Sequence, residues 1–466
     1  MQLRAPEIEI PSKAPFENDK LGRKGAVETL ADILKATADP IVISVNAPWG
    51  YGKTTFLRML NAHLANGAIR TVSFNAWESD YVDDPFVALL GDTEEQLKAL
   101  KHDRAVSIQE KIDRVKRFGV KIIAAALPAA VKVGTAGIID LQDVTEAAIA
   151  DAAEQFTKDQ IDAYSEAKRS IASFRSELKE IASTIYDDGS QLPLVFIIDE
   201  LDRCRPTHAV RLLEIVKHFF SIERVAFVIA LDPDQLGHSV RTLYGQDMDV
   251  DGYLKRFFDL ELNLPEPSVA AFLDAQFDRF GLAEFFSERS EHRETAYDKE
   301  HLETMFCELF PALGFSFREQ ERAFALLSLA IRATRKDQYL RPFLLGCLIL
   351  LKIKNSRLYR NFVAGQAAAA EVMEYFCKVG TNGEMFAKST YGYVLEGELI
   401  AVKTPIHEQD DLYKRFERQL EDAELTSEAR SRAHTIYQVL RESRFNRRYA
   451  DIATIASKID LISGNR

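Results

Sequence analysis

The 466-residue chain is poor in several features that carry function elsewhere. Its four cysteines, Cys204, Cys307, Cys347 and Cys377, are too scattered for a CxxC pair. Neither a zinc site nor a disulfide framework is therefore indicated, and a reducing cytoplasm fits. Nine histidines form no HExxH, and no GxSxG occurs, so zinc hydrolysis and nucleophile-elbow acyl transfer have no support. Positive charge is also in deficit. With 59 Lys and Arg against 71 Asp and Glu the formal charge is -12, which argues against indiscriminate binding to nucleic acid or anionic lipid and leaves only local basic patches to be sought. The first twenty residues lack an apolar stretch of signal-peptide length and carry acids early, so export is not expected. There is no fixed-period repeat and no low-complexity tract. What is present is 47% hydrophobic residues in a length suited to about two to four soluble domains.

The most informative stretch is "NAPWGYGKTTFL", residues 46–57. It follows the β-branched run "DPIVISV" and leads into "TTFLRMLNAHL", whose apolar spacing is helical, so it reads as strand, glycine loop, helix. The pattern GxxxxGK[ST] is met at Gly52, Lys53 and Thr54, with Ala47 standing where the first glycine is usual. Backbone N–H groups must turn inward around phosphate oxygens, and Gly50 and Gly52, beside Trp49 and Tyr51, give the freedom to do so. Lys53 is placed to reach the β- and γ-phosphates and Thr54, next to Thr55, to offer a hydroxyl to Mg²⁺ at a helix N-terminus. The competing reading is an ordinary glycine turn, which does not account for the lysine–threonine pair.

A metal-holding acid comes from "PLVFIIDELDRCRP", where five apolar residues precede Asp199 and Glu200. In this Walker B pattern Asp199 holds Mg²⁺ and Glu200 orients and deprotonates the attacking water. The alternative is a buried strand ending in a solvated acidic turn. A third strand, "ERVAFVIALDPDQL", leaves Asp232 either at a sensor-like position or as a helix cap before Pro233. In "YLKRFFDLELNLPEP", Arg256 is a candidate phosphate-contacting arginine for its own or a neighbouring subunit, or else a partner in a surface ion pair. No NKxD or TKxD follows, so guanine selection is unsupported and ATP is the better match.

Taken in order, "DKLGR" (19–23), "APWGYGKTTFL", "SFNAWESDYVDDPF" (73–86), "IIDELDRCRP", "ALDPDQL" and "YLKRFFDLELNLPEP" resemble the KAP family of P-loop NTPases, in particular a bacterial member. The resemblance covers about the first 265 residues apart from an insertion. It implies an α/β P-loop NTPase fold with a mostly parallel sheet and helices on both faces. It also implies that Asp19, Leu21, Gly22 and Arg23 form a box near the base and ribose, and that Trp49 and Gly50 mark the phosphate loop. Asn75 and Trp77 then close a strand end beside the nucleotide, unless Trp77 simply fills core. Asp202 and Arg203 extend Walker B, at an expected subunit contact.

From Lys53 to Asp199 is 199 - 53 = 146 positions, more than one helix, strand and helix require. The expected divisions are residues 1–90 and 191–265 for the NTPase domain, 91–190 for a large helical insertion, and 266–466 for an all-α lid and C-terminal domain. Family members often cross a membrane at this insertion, but "FGVKIIAAALPAAVKVGTAGII" (118–139) carries Lys132 well inside, at a cost of about 3 kcal/mol. Membrane contact is not expected; long mixed-charge helical patterns around it suggest an extended arm that contacts other subunits or a partner. In the C-terminal half, Arg318 of "FSFREQER" is the candidate second arginine sensor, with a solvated helix face as the alternative. Arg332, Arg335, Lys336 and Arg341, and Arg441, Arg444, Arg447 and Arg448, with Tyr339 and Phe445, are candidate nucleic-acid contacts, with exposed helix faces as the alternative. The resulting expectation is a cytoplasmic, Mg²⁺-dependent ATPase acting as a switch in a bacterial signalling or defence assembly, homo-oligomeric and coupled to a protein effector or sensor. The alternatives are an ATP-bound scaffold that does not hydrolyse and a nucleic-acid-stimulated motor.

Overall fold

The computed structural model describes residues 8–99, 110–118, 165, 168–186, 190–219, 221–265, 268–290, 295–334, 340–445 and 451–460. Two compact units emerge, one of Glu9–Pro265 and one built on Glu266–Arg466.

The first unit contains a five-stranded sheet in the order β2-β3-β4-β1-β5, parallel throughout. The strands are β1 (Ile41–Asn46), β2 (Thr71–Asn75), β3 (Leu194–Asp199), β4 (Val225–Leu231) and β5 (Leu260–Asn263). β3 and β4 read "LVFIID" and "VAFVIAL", continuous apolar runs of the kind that only a sheet covered on both faces can bury. The edge strand β5 is short and polar, as an unpaired edge should be. β4 lies between β1 and β3, so the strand before the glycine loop and the strand before Asp199 are not neighbours.

The register decides where function can sit. Asn46 pairs with Leu231 and Asn263, Ile198 with Ile229, and Asn75 with Asp199, so the carboxyl ends of all five strands finish along one edge. Alternate residues feed opposite faces: Ile43, Val45, Val195, Ile197 and Val228 pack with Val27, Leu30, Phe56 and Leu60 of α1 (Lys24–Ala36) and α2 (Lys53–Asn66). On the other face Val42, Phe196, Ile198, Phe227 and Ile229 meet α3 (Pro85–Ala99), α4 (Pro206–Phe219) and α5 (Pro233–Tyr244).

The same face takes up both described ends of the insertion. α3 runs through the expected 90/91 division, and the helical segments 110–118 and 168–184 place Ile112, Val115, Phe174, Leu178 and Ile181 in one core with Phe196 and Phe227. Arg114–Glu177 (2.7 Å) and Lys111–Glu180 (3.0 Å) pair the two segments. The insertion therefore begins and ends as a layer on the sheet rather than as an arm. Residues 119–139, most of the segment weighed as a membrane span, lie outside the described residues. No helix among the described residues is long and apolar enough to cross a membrane.

The second unit is helical throughout its described residues, as expected for the C-terminal half. Its centre is the helix Pro342–Lys354, "PFLLGCLILLKIK", buried on every side over Pro342–Leu351. Met305 packs so closely against it that a Cβ at Gly346 would lie 2.9 Å from the sulfur. Glu398 accepts the Leu344 N–H at 2.9 Å and pairs with Arg341 at 3.6 Å, capping that helix from inside the core. Arg341 is thereby removed from the expected basic patch: it is 2% exposed and matched to a buried acid, so it has no route to a nucleic acid. Arg332 and Arg441 are exposed, whereas Arg335, Lys336, Tyr339, Arg447 and Arg448 lie outside the described residues.

Leu178→Ala separates a packed layer from a solvated arm. In the packed layer the loss is about 2–5 kcal/mol of unfolding free energy, read as a lower denaturant midpoint, whereas an arm would leave the midpoint unchanged.

Candidate phosphate-binding site

The loop between β1 and α2 is shaped by two glycines, Gly50 at φ +84° and Gly52 at φ +81°, in the left-handed region where a side chain is strained. Ala47 needs no such freedom. Its φ is not positive, and its N–H donates to the Leu231 carbonyl (3.2 Å), continuing the β1–β4 ladder, which explains why alanine replaces the usual first glycine. α2 then starts at Lys53 with no side-chain cap from Gly52, so its first-turn N–H groups and the positive end of its dipole lie at the same loop.

Lys53 is nearly buried and folds back over the loop. Its ammonium donates to the Ala47 carbonyl at 2.7 Å and lies 3.5 Å from Asp202 Oδ2. Thr54 is exposed, and its side chain hydrogen-bonds that of Asp199, whose Oδ1 also accepts the Glu200 N–H at 2.8 Å. Burial raises the Asp199 carboxyl above the ordinary range, opposed chiefly by the Thr54 bond. A hydroxyl and a carboxylate brought together beside backbone N–H groups and one ammonium is a donor set that fits a hydrated Mg²⁺ on a polyphosphate.

Glu200 has φ +59°, a left-handed backbone uncommon for a non-glycine residue. That backbone turns its side chain toward Arg203, 2.5 Å away, and Asn75, whose Nδ2 donates at 3.5 Å. Burial raises the Glu200 carboxyl and the Arg203 charge opposes the rise. Asn75 is itself fixed, its Oδ1 accepting the backbone N–H of Trp77 (3.1 Å) and Glu78 (3.3 Å). Trp77 is 52% exposed with the Arg203 guanidinium 5.6 Å from its ring centre, so the core-filling alternative for this tryptophan fails.

Other expected residues sit differently. Asp232 spends both oxygens: Oδ1 caps α5 through the N–H groups of Asp234 (3.2 Å) and Gln235 (3.3 Å), and Oδ2 accepts the Trp49 N–H at 3.0 Å. It grips the loop as well as capping the helix. Arg23 is buried, donating to the carbonyls of Tyr51 (3.1 Å) and Pro265, so it braces the loop from behind instead of facing a base or ribose. Thr55 is half-buried on the first turn of α2. Arg256 is exposed after the helix α6 (Val250–Leu254) and has no ion pair among the described residues. Arg318 is exposed on the first turn of Phe317–Arg332, in the second unit.

Asp202 is the residue that sequence reasoning misplaced. Its side chain is 1% exposed, so it cannot serve as a subunit contact; it points into its own chain. No spacing rule says which of three acids in "DELD" and its strand end turns inward. Equally invisible was the meeting of Asp80, Cys204 and His208, whose ligand-type atoms lie within 4.8 Å of one another. Asp80 there accepts the backbone N–H and the guanidinium Nε of Arg205, both at 3.2 Å, while burial pushes the Cys204 thiol up to about 12 and the His208 imidazole down. An arginine-matched acid with an inert thiol bolts the loop after β2 to the start of α4.

Comparison with known proteins adds the following. The sequence profile of the KAP family P-loop domain matches residues 23–304. An uncharacterized protein of Methanocaldococcus jannaschii is 28% identical over 167 residues, 32% of this chain and 84% of that protein. Among solved structures, the Aeropyrum pernix ORC2 protein in ADPNP-ADP complexes aligns over 96% of this chain and 99% of its own at 13% identity and a TM-score of 0.31. AMPPCP-bound DnaA from Aquifex aeolicus aligns over 90% and 87% at 12% identity and a TM-score of 0.28.

Arg23→Ala removes the donor to the partly buried Tyr51 and Pro265 carbonyls. The expected loss is about 1 kcal/mol of unfolding free energy in urea titration, the net worth of a hydrogen bond whose acceptors water can partly reach.

Proposed function

Because this chain belongs to the KAP family of P-loop NTPases, we propose that it binds and hydrolyses ATP with Mg²⁺. The observation that carries the reading is the bond between the side chains of Thr54 and Asp199 at the foot of a glycine loop whose lysine is turned inward. The N–H groups of residues 50–54 bind the phosphates, and Lys53 exchanges loop carbonyls for phosphate oxygens. Thr54 and Asp199 hold Mg²⁺, which when bound offsets the charge developing on the transferred group. Glu200 accepts a proton from water as the water oxygen bonds to the γ-phosphorus and the bond to the β-bridging oxygen breaks, leaving ADP and phosphate. Adenine is preferred over guanine because no guanine-selecting NKxD or TKxD motif follows Walker B.

The chain works in the cytoplasm as a nucleotide-controlled switch within a signalling or antiphage assembly, self-associated and coupled to a protein effector, with Arg256 and Arg318 as candidate charge sensors. This role rests on family likeness alone. A plaque assay comparing wild type with Lys53→Ala tests the defence role, which fails if both protect equally or neither does. A scaffold that holds ATP with little turnover is favoured by one observation: Arg203 pairs with Glu200 at 2.5 Å and so competes for the base. Single-turnover hydrolysis distinguishes the two.

Lys53→Ala is expected to lose MgATP binding in equilibrium dialysis. Glu200→Gln should retain binding while turnover falls by about 10²–10⁴-fold, the usual weight of a general base. Equal turnover in all three proteins overturns these roles. The Glu200 carboxyl must be ionised to act, so activity is lost as pH falls through its raised value. Arg203→Gln removes the charge that opposes burial and moves the acid limb of kcat/KM to higher pH.

A further inference from the structure

Trp49 stands at the crown of the phosphate loop, between the β1 end and the two left-handed glycines, and the residue is 39% exposed. Packing alone does not hold such a ring. Two carboxylates hold the residue, one at its backbone and one at its ring. Asp232, leaving β4, accepts the Trp49 backbone N–H at 3.0 Å, and Asp202, in the turn after β3, accepts the indole Nε1–H at 2.6 Å. The same Asp202 Oδ2 takes the Asp232 backbone N–H at 3.0 Å and lies 3.5 Å from the Lys53 ammonium. One buried oxygen thus joins the crown of the loop, its lysine and the exits of two strands. Charge-assisted bonds to an ionised acceptor are short and directional, and 2.6 Å is short even for that class.

We infer that Asp202 is a positioning residue, which through the Trp49 indole sets the curvature of the phosphate loop and thereby the direction of its inward N–H groups. The inference deepens the ATP-binding reading and rests on it for its consequence, though not for its geometry. Between Ala47, fixed to Leu231, and Lys53, fixed at the start of α2, the loop is also held by the Asp232 bond, by the Arg23 bond to Tyr51 and by the Lys53 ammonium on the Ala47 and Pro48 carbonyls. The indole bond is the one that acts on the loop through a side chain at its crown. A lesser role, in which Asp202 does no more than balance the charge of Lys53, makes a different forecast: Trp49→Phe would then be harmless.

The test is a double-mutant cycle on MgATP affinity with Trp49→Phe, Asp202→Asn and both together, using the full chain. Each single change is expected to weaken binding about 10-fold, the size of one lost hydrogen bond to a charged group. The pair should bind within about 3-fold of the weaker single variant, because the charge-assisted indole bond lost in Trp49→Phe is already lost in Asp202→Asn, whatever else that change removes at Lys53. Wild-type affinity in Trp49→Phe, or two losses that multiply, overturns the inference. A second arm needs no nucleotide. The chain has two tryptophans, so Trp77→Phe leaves Trp49 as the sole indole emitter, and adding Asp202→Asn should shift its emission maximum. An unchanged spectrum overturns the inference. Failure of the wild type to bind MgATP would instead sink the functional reading, with the spectrum still deciding the role of Asp202.

Discussion

The pairing of β1 with strands on both sides, β4 and β5, is the constraint from which the site follows. Parallel pairing aligned at Asn46, Leu231 and Asn263 leaves no freedom about where the chain exits the sheet. Each exit arrives at the same edge with its last polar residue just clear of the apolar layers. Burial of the strand interiors requires that these polar residues find partners among themselves, since water reaches them only from one direction. The acids at 199, 202 and 232 are therefore tied to Thr54, to Trp49 and Lys53, and to Trp49 and the α5 terminus, respectively.

Much of this was legible from residue order. Gly52, Lys53 and Thr54 at fixed spacing announced the loop, and the apolar runs before Asp199 and Asp232 announced strands, because a fully covered strand leaves a continuous apolar signature. Family likeness supplied the expectation of a parallel sheet with helices on both faces, and the sheet has that form. Strand order was not legible, since propensity is local whereas the insertion of β4 between β1 and β3 is set by packing among distant segments. Asp202 was misplaced for a similar reason. The third acid of a cluster reads as available to another subunit unless the donors that meet it, here an indole from residue 49, are known to come near. Arg341 failed in the opposite direction: a basic cluster in sequence was divided in space, with one member sunk beside Glu398.

The two units manage buried charge by different routes. In the second, Arg341 and Glu398 form a pair whose worth lies in what its loss would leave behind, since a lone charge in that core costs more than the pair contributes. Glu398 uses its other oxygen on the Leu344 N–H and so compensates a helix terminus that has no water to turn to. In the first unit the acids are matched mainly to N–H donors and one ammonium, an arrangement that leaves them able to exchange partners.

The left-handed backbone at Glu200 has an evolutionary corollary. Glycine, which adopts such a conformation most readily, carries no group able to take a proton from water. On the proposed role of Glu200 as base, drift at this position to glycine would relax the main chain while removing that base.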